Sequence, residues 1–173
     1  MSFSPFPPQS DSLHYTENKS KRGPEVLINT ETLLLGAFPD SRHKVSYAII
    51  SHTWGSDADE VSFQVMMPGV LGSPRAKDPG SAKIRDTRQI TREVKRPRYA
   101  WVDTCCIDKA SGVEISEAIN SMFKWYQQFV VCFVFLEDRD AENRTFDKCR
   151  WWNRGLMHQE FIEPVSIIFY DAN

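Results

Sequence analysis

The chain has 173 residues, enough for one domain with a sizeable core, and its 41% hydrophobic and 12% aromatic content excludes a disordered or fibrous protein. A net charge of −2 gives no general attraction to nucleic acid or to an anionic membrane, so we expect neither as a partner. Met1–Ser10 lacks the apolar stretch of a signal peptide, and no run approaches the ~20 apolar residues of a membrane span. We therefore expect a cytoplasmic protein with reduced cysteines.

The first part of the chain predicts an arm followed by strands. Residues 1–23 are rich in Pro, Ser, Asn and Lys, which is typical of a flexible arm, and we assign residues 24–173 to a single domain. The short apolar stretches at 26–28 and 33–35 predict one or two strands. The apolar run Tyr47–His52 lies between polar segments and predicts a buried strand.

The middle of the chain predicts a long loop and then a helix. Residues 56–80 contain three glycines and three prolines, a density of chain breakers that indicates a loop. Residues 83–96 have helical periodicity, and Pro97 stops the run. The residues that recur at helical spacing are Ile84, Thr87, Thr91 and Val94. Basic and acidic side chains alternate along this helix, which favours a solvated face over a nucleic-acid patch.

The second half predicts two strands around an amphipathic helix. Residues 99–103 read as a buried strand, and 130–136 as a third, almost wholly apolar one. Between them, Ser111 and Glu114 have the spacing of a capping box that opens a helix. The apolar stripe predicted for this helix consists of Ala118, Ile119, Met122, Trp125, Tyr126 and Phe129.

The end of the chain completes an alternating order of strands and helices. Residues 154–162 predict a short helix, and 165–170 the last strand. Alternation with apolar strands predicts an α/β fold in which a mostly parallel sheet carries helices on both faces. Ligands of such sheets bind beyond the carboxyl ends of the strands. Polar or reactive groups follow the strands here, at 51–55, 103–108 and 137–138.

Several residue types at these strand ends could carry chemistry. Neither a glycine-rich phosphate motif nor a zinc signature occurs, so we expect no metal site. Cys105 and Cys106 could form a thiolate–imidazole pair with His52, or could simply fill the strand end. Asp103 and Asp108 could orient ligand hydroxyls, or each could cap the following turn.

Two further candidates are an aromatic ring and a carboxylate. Trp54, followed by Gly55, could be a stacking platform for a flat ligand or a lid on the core. The tract from Arg154 to Glu160 predicts a helix bearing a carboxylate. Near a strand-end cleft, that carboxylate could stabilise an oxocarbenium-like sugar or hold a ribose hydroxyl; on an ordinary amphipathic helix it would be a surface side chain.

Four ordered blocks resemble the fungal heterokaryon-incompatibility (HET) domain. Its Tyr-Ala-x-x-Ser-His-x-Trp-Gly block is matched by Tyr47 to Gly55, and its Trp-x-Asp-x-x-Cys-Ile-Asp block by Trp101 to Asp108. A helical block with Glu, Ile, Met and Tyr is matched by Glu114, Ile119, Met122 and Tyr126. The matches in the last block are Trp151, Trp152, Arg154, Gly155, Gln159 and Glu160. That block departs at 156–158, where Leu-Met-His replaces the family's Trp-Thr-Leu.

The resemblance, which extends from about residue 25 to 170, implies a function in cell death when unlike fungal cells fuse. The HET domain is in turn similar to the TIR domain, which has a flavodoxin-like fold. Several TIR domains cleave NAD at the nicotinamide–ribose bond with a Glu in a Trp-Cys-x-x-Glu-Leu tract. The resemblance therefore implies Glu160 as the catalytic residue, with NAD a substrate rather than a tightly bound cofactor. Fold-level likeness alone does not fix activity.

Two other functions stay open beside NAD cleavage. One is a non-enzymatic module that signals by homotypic assembly, with copies of itself or other signalling proteins as partners. The other is an enzyme that uses the cysteine pair and His52. If the chain cleaves NAD, we expect the strand-end residues to converge on one cleft with Glu160. The residues expected to bind NAD there are Ser51, Trp54, Asp103, Asp108 and Arg154.

Overall fold

The computed structural model of the chain describes residues 23–38, 45–56, 58–67, 79–94, 97–139, 145–153 and 166–171. The strands in chain order are β1 Val26–Asn29, β2 Leu35–Ala37, β3 Tyr47–His52, β4 Tyr99–Trp101, β5 Val131–Phe135 and β6 Ile167–Tyr170. The α-helices are α1 Phe63–Met66, α2 Pro79–Glu93 and α3 Gly112–Trp125. Two short 3₁₀ helices, Phe146–Lys148 and Arg150–Asn153, lie between β5 and β6.

The six strands form one sheet in the order β2-β1-β4-β3-β5-β6. The pairs β3–β4, β3–β5 and β5–β6 are parallel, whereas β1 runs antiparallel to both β2 and β4. The predicted α/β fold with a mostly parallel sheet is thus confirmed. From β3 the chain goes first to β4 on one side and later to β5 on the other. The carboxyl ends of β3 and its neighbours therefore frame a topological switch point.

Helices cover both faces of the sheet. The parallel register places His52, Phe135 and Tyr170 side by side on one face. The Tyr170 hydroxyl donates a hydrogen bond to the Lys83 carbonyl of α2 at 3.2 Å, so α2 lies on that face. On the opposite face, the Tyr47 hydroxyl donates to the Trp125 carbonyl of α3 at 2.8 Å. Because successive side chains of a strand alternate, residues only one position apart face different helices.

The helix α3 packs on the sheet through aromatic side chains. Trp125 meets Trp101 of β4 edge to face, with ring centroids 5.5 Å apart. The predicted N-cap is confirmed, because the Ser111 hydroxyl accepts a hydrogen bond from the Glu114 amide. In a capping box the Glu114 carboxylate would accept a hydrogen bond from the Ser111 amide. Here it accepts from the Asp108 amide, three residues earlier in the chain. Ile119 was wrongly placed in the core stripe, since 67% of it is exposed.

The helix α2 differs from its prediction at both ends. It begins at Pro79, four residues earlier than predicted, and ends at Glu93. Proline is well tolerated in a first helical turn, so Pro79 opens the helix and does not belong to a loop. Ile84, Thr87 and Thr91 are buried as expected, but Val94 is exposed. The basic side chains do not all face solvent, because Lys83 is buried.

The loop predicted at residues 56–80 contains one helical turn, α1, which the prediction missed because of the many glycines and prolines in this stretch. Ser62 caps α1 by accepting a hydrogen bond from the Val65 amide.

β4 ends at Trp101, two residues before the predicted boundary, because the chain turns there and the Cys106 amide donates to the Val102 carbonyl at 2.9 Å. The arm predicted at 1–23 lies outside the described residues except for Gly23, and so does the helix predicted at 154–162. Within the described ranges, no helix is long and apolar enough to cross a membrane.

Candidate functional site

An indole ring stands at the carboxyl edge of the sheet, just after β3. The Trp54 indole N–H donates a hydrogen bond of 2.9 Å to Asp103, which follows β4. The ring remains 55% exposed, and the Lys109 ammonium lies 5.3 Å from its centroid. The hydrogen bond fixes the ring's orientation, and Lys109 interacts favourably with the negative π-face. Trp54 is therefore an oriented aromatic surface and does not cover the core.

Asp108 lies on the same edge but has a structural task. One carboxylate oxygen accepts hydrogen bonds from the Gln64 side chain at 2.6 Å and from the Ala110 amide at 3.0 Å. Asp108 thus stabilises the turn before α3, which was the alternative reading of its position, and ties this turn to α1.

Ser51 is not open to the edge. It is 2% exposed, and its hydroxyl accepts a hydrogen bond of 2.8 Å from the Trp151 indole N–H. This contact holds the second 3₁₀ helix on the sheet, so Ser51 positions the segment that precedes Arg154. Arg154 and Glu160 lie outside the described residues, and their convergence with Trp54 and Asp103 stays a prediction.

A buried ionic cluster of Glu60, Lys83 and His52 lies next to the carboxyl edge of the sheet, behind the turn that follows β3. The Lys83 ammonium lies 2.6 Å from the Glu60 carboxylate, and only 4% of the lysine side chain is exposed. The other Glu60 oxygen accepts a hydrogen bond of 2.8 Å from the Gly55 amide. His52 Nε2, at the end of β3, is 3.6 Å from Glu60, too far for a strong hydrogen bond but close enough for electrostatic attraction.

Glu60 is ionised in this cluster. Burial alone raises the pKa of its carboxyl, but the side chains of His52 and Lys83 and the Gly55 amide favour the charged form more strongly and lower the pKa to about 2. The carboxylate connects the turn after β3 with α2, through Gly55 and Lys83 respectively. It therefore holds the backbone next to Trp54 in place.

A cavity of about 310 Å³ opens between the ends of β3 and β4. It is lined by Trp54, Gly55, Glu60, Ser62, Thr104 and Lys109. The Thr104 hydroxyl is buried and has no hydrogen-bond partner among the residues that the structure describes. Buried hydroxyls are nearly always hydrogen-bonded, so this one is a vacant donor and acceptor beside the cavity.

The end of β5 is closed by ion pairs. Arg150 donates a hydrogen bond to Glu137 at 3.1 Å, and its backbone amide donates to Asp138 at 3.0 Å. A methyl group placed on Gly55 would lie 3.8 Å from Glu137, so the turns after β3 and β5 are neighbours. The 3₁₀ segment therefore reaches the edge next to the cavity.

The cysteine pair is poorly placed for nucleophilic chemistry. Cys105 and Cys106 are both buried, and the Cys106 thiol accepts a hydrogen bond from the Val102 amide. The contact with Cys106, together with burial, raises the pKa of the Cys105 thiol well above its usual value. A thiol in this state is protonated at neutral pH, which argues against the thiolate hypothesis. Across the described ranges, no three His, Cys, Asp or Glu residues are grouped as metal ligands.

The residues that sequence reasoning missed are Glu60, Lys83, Thr104 and Lys109. Glu60 and Lys83 pair from separate elements, so no local motif announces them. One signal was available for Lys83: it shares a helical stripe with Thr87 and Thr91, both buried. A lysine at such a position requires a buried carboxylate nearby.

Comparison with known proteins identifies the family. The Heterokaryon incompatibility protein (HET) family matches residues 47–163, which include β3, β4, β5 and the strand-end site. The chain belongs to this family. It is 41% identical over 138 residues to "Vegetative incompatibility protein HET-E-1" of Podospora anserina, an alignment that covers 72% of this chain and 10% of that protein. No solved structure matches the chain.

Proposed function

We propose that this chain acts in heterokaryon incompatibility as a signalling domain for programmed cell death. The observation that carries the proposal is the similarity to the vegetative incompatibility protein of Podospora, which covers 72% of the chain. The family match, over residues 47–163, includes the strand-end site. Because the matched region is a tenth of that relative, the proposal concerns the contribution of this domain and not the activity of a whole receptor.

The proposed chemistry is TIR-like cleavage of NAD. The C–N bond between ribose and nicotinamide breaks, and its electron pair neutralises the positive ring nitrogen of nicotinamide. The oxygen of water bonds to the ribose carbon, and a proton is released. Positive charge builds on the ribose ring in the transition state, so a carboxylate held against the ring accelerates the reaction. Glu160 is the residue to which we assign this function.

Two features of the described residues support this chemistry. The parallel strands follow the order β4-β3-β5-β6, which corresponds to the 2-1-3-4 order of flavodoxin-like folds, and TIR domains share that fold. In addition, the cavity beside Trp54 lies at the strand-end edge where such folds bind nucleotides. An oriented, half-exposed indole is suited to stack against a flat ring.

The test is nicotinamide release by the purified chain. We expect NAD to be consumed and nicotinamide to appear in equal amounts. The substitution Glu160→Gln keeps the size and removes the charge, so it should lower the rate by roughly a hundred- to a thousandfold. The same variant should no longer kill fungal cells, while its circular dichroism matches the parent. Undiminished killing by Glu160→Gln would assign the function to assembly and not to catalysis.

One observation favours the second candidate, a non-enzymatic module that signals by homotypic assembly. On α3, Ile119 is 67% exposed and Phe123 is 43% exposed. They are four residues apart and so lie on the same side of the helix. A second copy of the chain could bury them. Concentration-dependent association, without NAD consumption, would support this function.

A further inference from the structure

The cavity between the ends of β3 and β4 combines an apolar surface with charged side chains and one unsatisfied hydroxyl. The Trp54 ring supplies the apolar surface. Thr104 is 2% exposed, and its buried hydroxyl lacks a partner within the described part of the chain. A buried hydroxyl without a partner destabilises the fold, so a ligand that pairs with Thr104 regains stability.

We propose that this cavity holds the ribose 5-phosphate group of a nucleotide, with the ribose between Trp54, Glu60 and Thr104 and the phosphate at Lys109. The choice of a nucleotide rests on the NAD chemistry proposed above. What is new is the assignment of a sugar–phosphate subsite to residues in the segments that follow β3 and β4, none of which belongs to the tract around Glu160.

The carboxylate of Glu60 suits a ribose with its vicinal hydroxyls. It is ionised, and its oxygens accept from the Gly55 amide and from Lys83. A carboxylate offers about four acceptor positions, so acceptor capacity remains for a ligand hydroxyl. The carbon face of a sugar ring is apolar and can lie on an exposed indole. Trp54 cannot turn freely, because its N–H is bound to Asp103.

The charges around the cavity admit a phosphate group. Lys83 compensates the negative charge of Glu60 at 2.6 Å, which reduces the repulsion that a bare carboxylate would exert on an anion. Lys109 is exposed beside Trp54 and supplies a positive charge at the rim. The Ser62 hydroxyl, which caps α1, also lines the cavity.

The size of the cavity favours one nucleotide over two. Ligand pockets range over about 300–1,000 Å³, and this one, at about 310 Å³, lies at the lower limit. We therefore assign it one ribose–phosphate half of a dinucleotide. The other half of NAD would extend along the sheet edge.

The experiment is an NMR titration of the full chain with AMP, which follows the Trp54 indole N–H signal. That signal is assigned with Trp54→Phe. We expect AMP to shift it saturably, and 2′,3′-dideoxy-AMP to bind about tenfold more weakly because Thr104 and Glu60 then lose their hydroxyl partners. Thr104→Val removes the vacant hydroxyl at nearly constant volume, and Lys109→Met removes the charge. Each should weaken AMP binding about fivefold to tenfold.

The matched control is Arg98→Met, a charge removal before the amino end of β4, at the opposite edge of the sheet. It should leave AMP affinity unchanged. Thr104→Val should raise the thermal midpoint slightly, because the buried hydroxyl that it removes has no partner among the described residues. Equal affinity for AMP and the dideoxy analogue, or unaltered AMP binding by Thr104→Val and Lys109→Met together, would overturn the proposal.

The two proposals fail in different ways. AMP binding that depends on Thr104 and Lys109, with no release of nicotinamide from NAD, supports the subsite and overturns the enzymatic function. Release of nicotinamide by a chain whose Trp54 signal does not respond to AMP supports the enzyme and overturns the subsite. No response of the Trp54 signal to millimolar AMP or to NAD, with NAD intact, overturns both.

Discussion

At the scale of single residues, Glu60 and Lys83 form a buried ion pair that one substitution can break. Glu60→Gln leaves the buried Lys83 ammonium without its counter-ion. Removing one partner of a buried pair commonly costs about 3–5 kcal/mol, so we expect a loss of this order in the free energy of unfolding. Urea denaturation at pH 7 measures it.

The control for this prediction is a surface pair of the same type. Arg98 and Glu31 lie 3.8 Å apart, and their side chains are 73% and 60% exposed. Exposed pairs contribute about 0–1 kcal/mol, so Glu31→Gln should change stability by less than that. If Glu60→Gln were no more destabilising than Glu31→Gln, the buried cluster would not stabilise the fold.

The lowered pKa of Glu60 also predicts how stability depends on pH. The pKa is about 2 in the folded chain, against an ordinary value of 4.5. Between these values the unfolded chain binds more protons, so the contribution of Glu60 is complete above about pH 4.5 and is lost as the pH falls towards 2. The stability difference between the parent and Glu60→Gln should therefore shrink over this window. A difference that is constant from pH 6 to pH 3 would contradict the assignment.

Some residue roles follow from sequence and others do not. The ring of Trp54 and the carboxylate of Asp103 were both expected at one edge, because they follow parallel strands. Ser51 was expected there too, but it is the last inward-facing residue of β3 on its face and is covered by Trp151. The alternation of side chains along β3 decides which face Ser51 is on. The position of Ser51 in the strand does not predict that Trp151, 100 residues later in the chain, covers it.

At the scale of secondary-structure elements, the position of α2 depends on Gly80, which lies against the backbone of Asp59. A Cβ on Gly80 would overlap the carbonyl oxygen of Asp59 and lie 2.8 Å from its carbon, and backbone cannot yield as a flexible side chain does. Gly80→Ala must therefore push the helix start away from the segment that carries Glu60. We expect a loss of about 1–3 kcal/mol or more in the free energy of unfolding.

The control within the helices is Gly112, at the start of α3. A Cβ there meets nothing within 4 Å. Replacing an unconstrained helical glycine by alanine reduces the entropy of the unfolded chain, so Gly112→Ala should stabilise by about 0.5–1 kcal/mol. Opposite signs for the two substitutions, measured by thermal unfolding, would confirm the close approach at Gly80. Equal effects would contradict it.

The elements that were predictable from sequence are those whose pattern records their surroundings. β5 is wholly apolar and β3 is apolar up to Ile50 because helices cover both faces of the sheet, and the periodicity of α3 follows from packing on one side. The start of α2 is harder to predict: Pro79 suits a first helical turn, but Gly80 is unfavourable in a helix by propensity and fits there because it lies close to the Asp59 backbone. The exposure of Ile119 was also not predictable, because its apolar side chain fits the predicted stripe and only the packing of α3 on the sheet shows that it is left uncovered.

At the scale of the whole molecule, the sheet is a parallel unit extended at one edge by an antiparallel hairpin. β1 and β2 pair next to β4, so the first strands along the chain cover the side of the sheet away from β5. The strand-end site is built from the parallel part alone, through β3, β4 and the turns that follow them. The region that the HET family matches contains β3, β4 and β5 of this parallel part and ends before β6.

The last prediction concerns assembly of the chain. We expect it to be inactive as a dilute monomer and active when clustered, in line with the TIR-like function proposed above. Fusion to an inducible dimerisation module should increase cell killing when the inducer is added. Ile119→Lys places a charge on the exposed apolar side of α3 and should weaken self-association, measured by light scattering over a range of concentrations. Val113→Lys is the matched control, because Val113 is 77% exposed and, six positions earlier, points to a different side of the helix. Killing by an enforced monomer at the same level as by the dimer would show that clustering is not required.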